Sequence, residues 1–506
     1  MAFSNTPQLS TYRTEQIKFD ATSTLRSADN TVRRDSHIIN MFYDRIKQED
    51  VHQRETTLNK RPGISATAQS LNKTTDIHPI RGYFYEEQED IYFWAVRDKV
   101  YKYIPNPAGS YTALICTLST TSGDVYFETF QKSTGEVYIL LSDGTDLWSQ
   151  QLRTYPDTAG AKVVDADFPT PHNPMFAVLD GYVFISKGNT IYNSDVDTFD
   201  AWTAGNDVDC EMSADNIRAL FKIRNYVYAI GYDSLEVFWD AANVSGSPLS
   251  RYDSGYKSIG IIGGFTKAGD TAYFVGQSKN DGQAVYFVDG LKVNKISDAI
   301  VERTLQSVYS TEFSSARWPV LNDAFKGHIL SIDGHSFYTV VTLTEITWVY
   351  DLEHKFWYEW RNASDAPLRI EAVWSKFDGG QYLALFGYNT IDYISSLVYQ
   401  DKGQNFTCSY TTEDNLFGSV NWKTCNRATL VCDRYQATGT SNVTLQWSDD
   451  DWAGSATGST TLNAFANAPR AHRLGRFRNR SFRILYADNY PIRMKYLELE
   501  LNVGAN

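Results

Sequence analysis

The sequence predicts an all-β chain organised around a β-propeller, and three observations carry that reading. Aromatic residues make up 14% of the 506, with 33 Tyr, 27 Phe and 12 Trp, and these types favour pleated, half-buried surfaces. A short aromatic strand, a polar turn and a second aromatic strand return along the middle of the chain. Taking strand centres near 92, 139, 184, 228, 274, 340 and 384, the intervals are 47, 45, 44, 46, 66 and 44 residues. A period of that length with several strands per unit marks a propeller, whose blades hide one another's faces. The turns agree: Ser142-Asp143-Gly144, Leu179-Asp180-Gly181 and Ile332-Asp333-Gly334 are hairpin sequences.

Residues 1–79 are predicted to form a polar N-terminal arm with the first strands, and 80–402 the propeller of six to seven blades. Its repeats include Ile91–Val96 before Val100–Ile104, Glu136–Leu141 before Asp146–Trp148, and Tyr226–Ile230 before Leu235–Trp239. The single long interval holds a helical insertion near 297–315, opened by a Ser297 cap and carried by apolar positions 300, 301, 304 and 305. Residues 403–506 contain a second strand series, with Asn442–Trp447 alternating as a one-sided sheet should, and a small β-sandwich-like domain is expected there.

Composition narrows the function. A net charge of −13 and a pI near 5.2 argue against a protein that lives by gripping phosphates. The charge is uneven: residues 1–61 carry +2, residues 469–506 carry +5, and the centre about −20. Five cysteines, Cys116, Cys210, Cys408, Cys425 and Cys432, form neither a disulfide framework nor a zinc set and read as small buried hydrophobes. Met1–Asn30 lacks the apolar core of a secretory signal, and no run of 18 apolar residues could span a bilayer. Synthesis in a cytosol and no membrane association are expected.

A search for chemistry finds no catalytic set. Ser448-Asp449-Asp450-Asp451-Trp452 approaches a sialidase Asp box but lacks its glycine; it reads as a cation ligand group or, in preference, a solvated hairpin turn. Glu86, Glu87, Glu89 and Asp90 could pose as a glycosidase pair, yet their adjacency suits an exposed loop. His328, His335 and His354 lack ligand spacing and read as structural. Gly260-Ile261-Ile262-Gly263-Gly264 lacks the Lys-Ser/Thr of a phosphate loop and suits a β-bulge. No G-x-S-x-G elbow occurs. The expectation is a non-enzyme with no cofactor and no metal. One basic aromatic stretch stands out: Arg470, Arg473, Arg476, Arg478, Arg480 and Arg483, interleaved with Phe477 and Phe482. It could contact an acidic protein surface, remain a solvated strand edge, or touch DNA.

The order of short signatures is itself informative. Ile38-Ile39-Asn40-Met41-Phe42 is followed by Lys60-Arg61-Pro62-Gly63-Ile64, Gly82-Tyr83-Phe84, and Tyr192-Asn193-Ser194-Asp195 with Phe199. Ile217-Arg218-Ala219-Leu220, Leu235-Glu236-Val237-Phe238 and Lys257-Ser258-Ile259-Gly260-Ile261 complete the series. From about residue 38 to 501 the chain resembles the packaged-DNA stabilisation, or tail hub and nozzle, proteins of short-tailed bacteriophages. Asn40, Arg61, Pro62 and Gly63 are its family-signature positions. The resemblance implies a virion tail protein, assembled in the bacterial host cytoplasm as a hexameric ring below the portal and its adaptor protein. Such a ring would extend the DNA channel, retain the packaged genome and anchor tail fibres, spikes or a needle. Double-stranded DNA would transit without sequence readout, which an acidic body allows. The rival reading is a carbohydrate-binding or carbohydrate-degrading propeller whose aromatics stack on sugars.

Overall fold

The computed structural model describes residues 11–19, 37–46, 55–73, 78–105, 111–152, 159–278, 280, 282–312, 325–342, 346–376, 380–433 and 440–504. Two compact units result, one of residues 66–347 and 368–393, the other of residues 1–65, 348–367 and 394–506.

The first unit is the propeller. Six sheets have four antiparallel strands each, beginning at Ile80–Glu86, Tyr126–Gln131, Ala177–Leu179, Ala219–Ile223, Gly260–Ala268 and Ile370–Ser375. The hairpin of Phe325–Ile332 and His335–Thr342 fills a seventh sector between the last two of these. In the sheet that begins at Ile370–Ser375, the outer strand is Gly63–Ser70, supplied from far earlier in the chain. Leu71 N–H donates to Asn389 O at 3.2 Å beside it, so the circle is closed by hydrogen bonds as well as by packing.

The repeat of aromatic strands is explained by what lies between blades. Phe93, Val100, Phe127 and Ile139 form one interblade core, and Phe130, Leu140, Val183, Ile185 and Trp202 the next. Phe221 stacks on Tyr228 at 5.2 Å within a cluster that extends to Phe274 and Tyr286. Each blade is apolar on both faces because each face is covered by a neighbour.

The helix spans Ala299–Glu312 and buries Val301, Leu305 and Val308 on one stripe. Its cap corrects the expectation. Asp298 Oδ1, not Ser297, accepts the Val301 N–H at 3.1 Å, while the Ser297 hydroxyl donates to Glu302 at 3.0 Å and accepts from Val285 N–H at 3.1 Å. A carboxylate at the first turn also suits the helix dipole. Residues 313–315 of the expected helix lie outside the described residues. The Gly260–Gly264 stretch is strand with register shifts at Ile261/Gly263 and Gly263/Thr266, consistent with the bulge.

The second unit is a two-sheet sandwich. One sheet is ordered Met41–Ile46, Glu55–Lys60, Arg493–Val503, Lys423–Cys432, Arg470–His472, with Thr11–Lys18 also on Arg493–Val503 and Arg476–Phe477 also on Lys423–Cys432. The other contains Phe356–Trp360, His37–Ile39, Cys408–Thr411, Ser481–Tyr486, Asn442–Ser448 and Gly458–Asn463 in that order. Boundaries drawn along the chain at 79/80 and 402/403 therefore differ from these units. His37–Ile39 lies between a strand three hundred residues later and one later still, so the sandwich gathers three separate segments.

Charge divides between the units. The propeller unit holds 23 basic and 38 acidic side chains, net −15, and the sandwich unit 24 and 22, net +2.

Candidate functional site

At the propeller axis the innermost strands leave a cavity of about 330 Å³. Arg81, Lys267 and Lys326 face Asp124, Glu128 and Glu371 around it. Their partners account for the arrangement. Lys267 donates to Glu128 at 2.7 Å, joining two blades that are not sequential. Burial alone would lower the Lys267 ammonium, but Tyr126 and Glu128 more than offset this and raise it. Lys326 donates to Ile80 O at 2.7 Å. The buried Lys73 ammonium donates to Glu371 Oε2 at 2.7 Å and to Tyr388 O at 3.1 Å. Arg81 is held by the carbonyls of Arg97, Thr120, Ser122 and Gly123. Lys267 and Lys73 are thus matched by carboxylates, and Lys326 and Arg81 are held on backbone carbonyls; buried ions without such partners would cost several kcal/mol each.

His328, one of the sequence candidates, is fixed by Tyr83 O–H on Nδ1 at 2.7 Å and by Ile370 O at Nε2, 3.0 Å. The carbonyl can only accept, so Nε2 carries the proton and the ring is neutral. Burial and the nearby Lys326 push its pKa down to about 3. Burial likewise takes His172, 2.8 Å from Ser142 Oγ, down to about 4. Both folded values lie below the unfolded value of about 6.5. The unfolded chain therefore takes up protons first, and stability present above pH 6.5 is lost as pH falls toward 4. Each histidine is expected to cost the propeller about 2–3 kcal/mol between pH 7 and 4.5. His328→Gln keeps a donor and an acceptor but cannot titrate. Its urea midpoint should fall clearly less over that pH range than the parent's, and an unchanged pH dependence would refute the assignment.

The family-signature residues meet in the sandwich unit, at a buried polar junction. Asn40 has φ 56, a left-handed conformation that asparagine tolerates. It turns the chain from His37–Ile39 in one sheet into Met41–Ile46 in the other. Its side-chain N–H donates to Thr407 O at 2.7 Å, and its Oδ1 accepts from Arg61 Nε at 3.0 Å and from Arg361 N–H at 2.8 Å. Arg61 grips Asp401 with two bonds of 3.0 and 2.5 Å. It also donates to Pro62 O and Arg361 O, and its guanidinium lies 3.8 Å from the Phe406 ring centre. A Cβ on Gly63 would meet Gln400 O at 2.2 Å, so only glycine allows that approach. Beside them Lys60 donates to Asp488 O at 2.8 Å, and burial pushes its pKa down to about 8. These signature positions form a structural junction within the sandwich.

The arginine series separates into two groups. Arg480 is buried, bound to Asp449 by two bonds of 2.6 and 2.8 Å and to Leu474 O at 2.7 Å. Arg483 lies 3.9 Å from the Trp452 ring centre and donates to Thr411. Arg470, Arg473, Arg476 and Arg478 are exposed, the last two over Trp422 at 4.7 and 5.0 Å. The acidic turn is only partly solvated: Asp449 serves Arg480, Ser448 Oγ donates to Asp450 at 2.6 Å, and Trp452 is buried.

Of the other candidates, His335 and His354 come together with Glu353, their ligand atoms within 4.8 Å of one another, a grouping that could hold a metal ion, and the rest have partners within the fold. Glu86 is buried and accepts the Glu89 N–H at 2.7 Å, so this turn is less open than the exposed loop expected. Asp90 accepts from Tyr85 O–H and pairs with Lys376 at 3.1 Å. His354 pairs with Asp351 at 3.0 Å, and His335 stacks on Phe337. All five cysteines are free thiols and four are buried, with burial raising Cys408, Cys425 and Cys432 to about 11. Sequence reasoning missed Asp401, Phe406, Lys73 and Glu371, whose roles arise from partners hundreds of residues away.

Residues 122–361, which run from the second blade to just past Phe356–Trp360, match the sequence profile of Phage_stabilise, described as bacteriophage P22 Gp10, beta-propeller. Over this stretch the chain is similar to the phage-stabilisation propeller family. The match points to a phage structural protein of the DNA-stabilising kind. No curated protein sequence matches. Among solved structures, the chain is similar to the extracellular domain of the hybrid two-component system BT4673 from B. thetaiotaomicron, at 10% identity and TM-score 0.41, covering 74% of this chain and 43% of that one. It is also similar to the N-terminal domain of Nup159, at 9% identity and TM-score 0.38, covering 67% and 95%. The chain thus spans less than half the length of the first of these.

Proposed function

We propose that this protein is the tail hub or nozzle of a short-tailed phage, a ring of six copies below the portal adaptor. The ring extends the DNA channel, retains the packaged genome and anchors fibres, spikes or a needle. The observation that carries this reading is the family match over the propeller. Charge supports it: a propeller unit of net −15 repels phosphates and lets a duplex slide. The propeller's own axis cannot be the conduit. A cavity of about 330 Å³ crossed by ion pairs does not admit a duplex whose major groove alone is about 12 Å wide. The channel is therefore enclosed by several copies.

Native mass spectrometry and electron microscopy of the full-length protein, alone and mixed with its portal–adaptor complex, test this. A six-copy ring seated on the adaptor is expected. A protein that stays monomeric in both samples and is missing from disrupted virions would overturn the proposal, and turnover in a reducing-end sugar assay would favour the carbohydrate reading.

A further inference from the structure

We infer that the exposed arginine edge of the sandwich unit docks on an acidic, aromatic groove of the propeller unit in a second copy of this chain. The inference rests on the ring reading above and names the surfaces that build it. Arg470–His472 and Arg476–Phe477 both pair with Lys423–Cys432 on the side away from Arg493–Val503, with Arg476 opposite Thr424 and Arg470 opposite Thr429. They lie in line along one sheet edge, about 17 Å from Thr424 to Thr429 at strand rise. Ala471 and Phe477 point inward and the arginines outward. Among the described residues, no carboxylate pairs with Arg470, Arg473, Arg476 or Arg478. Trp422, under two of them, is 42% exposed. An open sheet edge with an uncompensated charge row and an exposed indole is the composition of an interface.

The groove has the complementary chemistry. Tyr226 and Trp239 stand directly opposite each other on adjacent strands, and Tyr252 lies 6.1 Å from Tyr226. Trp239 is 43% exposed. Asp180 and Asp253 also line this concavity and are exposed. Its two arginines are committed elsewhere, Arg224 to Asp289 at 3.0 Å and Arg251 to Glu236 at 2.9 Å. What remains is carboxylate and aromatic surface, which suits guanidinium groups by pairing and by cation–π contact. DNA would satisfy the arginines but leave this groove unmatched; a second copy satisfies both. The contact is head-to-tail, and such contacts close into rings.

A charge exchange between full-length variants tests it. One variant carries Arg470→Glu, Arg473→Glu, Arg476→Glu and Arg478→Glu; the other carries Asp180→Arg and Asp253→Arg. All six sites are exposed, and near-UV circular dichroism should match the parent. Each variant alone is expected to associate about a hundredfold more weakly in sedimentation. Mixed one to one, they should recover assembly, because every interface in an alternating ring is again of opposite charge. Variants that assemble like the parent, with the same salt dependence, would overturn the docking while leaving the ring intact. So would an edge variant that loses only duplex-DNA affinity by fluorescence anisotropy. A parent that never assembles would instead refute the ring.

Discussion

Arg61→Ala is expected to destabilise the sandwich unit by about 3–5 kcal/mol, the range for breaking a buried ion pair by removing one partner. The guanidinium serves Asp401, Asn40, Pro62 O and Arg361 O at once, and its loss strips these donors from the Asp401 carboxylate and both carbonyls, while Asn40 Oδ1 keeps only the Arg361 N–H. Arg61→Lys should recover little, because a single ammonium cannot copy a planar fork that bonds two carboxylate oxygens and flanking carbonyls. Asp401→Asn should be nearly as harmful, since it leaves the guanidinium buried and uncompensated. Replacing both residues by Leu should recover only part, because the Pro62 and Arg361 carbonyls still lose the guanidinium as donor. Hydrogen–deuterium exchange reads this locally. Amides of Glu55–Lys60 and Cys408–Thr411 should lose protection while the propeller strands keep theirs. A loss below about 1 kcal/mol in urea unfolding would show that the junction is not the structural centre of this unit.

The contrast between the two units explains what could be read from the sequence. Propeller strands are local: Ile91–Val96 pairs with Lys99–Ile104 across a two-residue turn, so period and turn chemistry both appear in a short window. The repeat, the bulge at Gly260–Gly264 and the helix near 299 were legible for that reason. The helix cap was misassigned by one residue because Ser and Asp are adjacent and both are good caps. The sandwich is nonlocal. Nothing near Asn40 announces that its neighbours are Thr407 and Arg361, and nothing near Asp401 announces Arg61. Arg480 illustrates the same limit: it shares its spacing with Arg476 and Arg478, yet it sits at a bridge to Asn415 and its bonds to Asp449 make it a core residue.

Gly82→Ala offers a case where local and tertiary rules predict opposite signs. Gly82 lies in the innermost strand Ile80–Glu86 and is not at positive φ, so its backbone does not require glycine. On propensity alone, alanine in such a strand should gain about 0.5–1 kcal/mol. Packing reverses this. A Cβ at position 82 would stand 1.8 Å from Val125 O and 3.2 Å from the Phe127 ring. The carbonyl belongs to the chain entering the next blade, which cannot retreat without disturbing Val125 N–H, bonded to Arg81 O at 3.0 Å. The first two blades must therefore part near the axis, where Arg81, Tyr83 and Glu128 also sit. The expected loss is about 3 kcal/mol or more, at the upper end of single-site effects. Thermal unfolding of Gly82→Ala against the parent measures it. A neutral or stabilising result would mean that the inner strands are not in the close approach that sets the width of the axis.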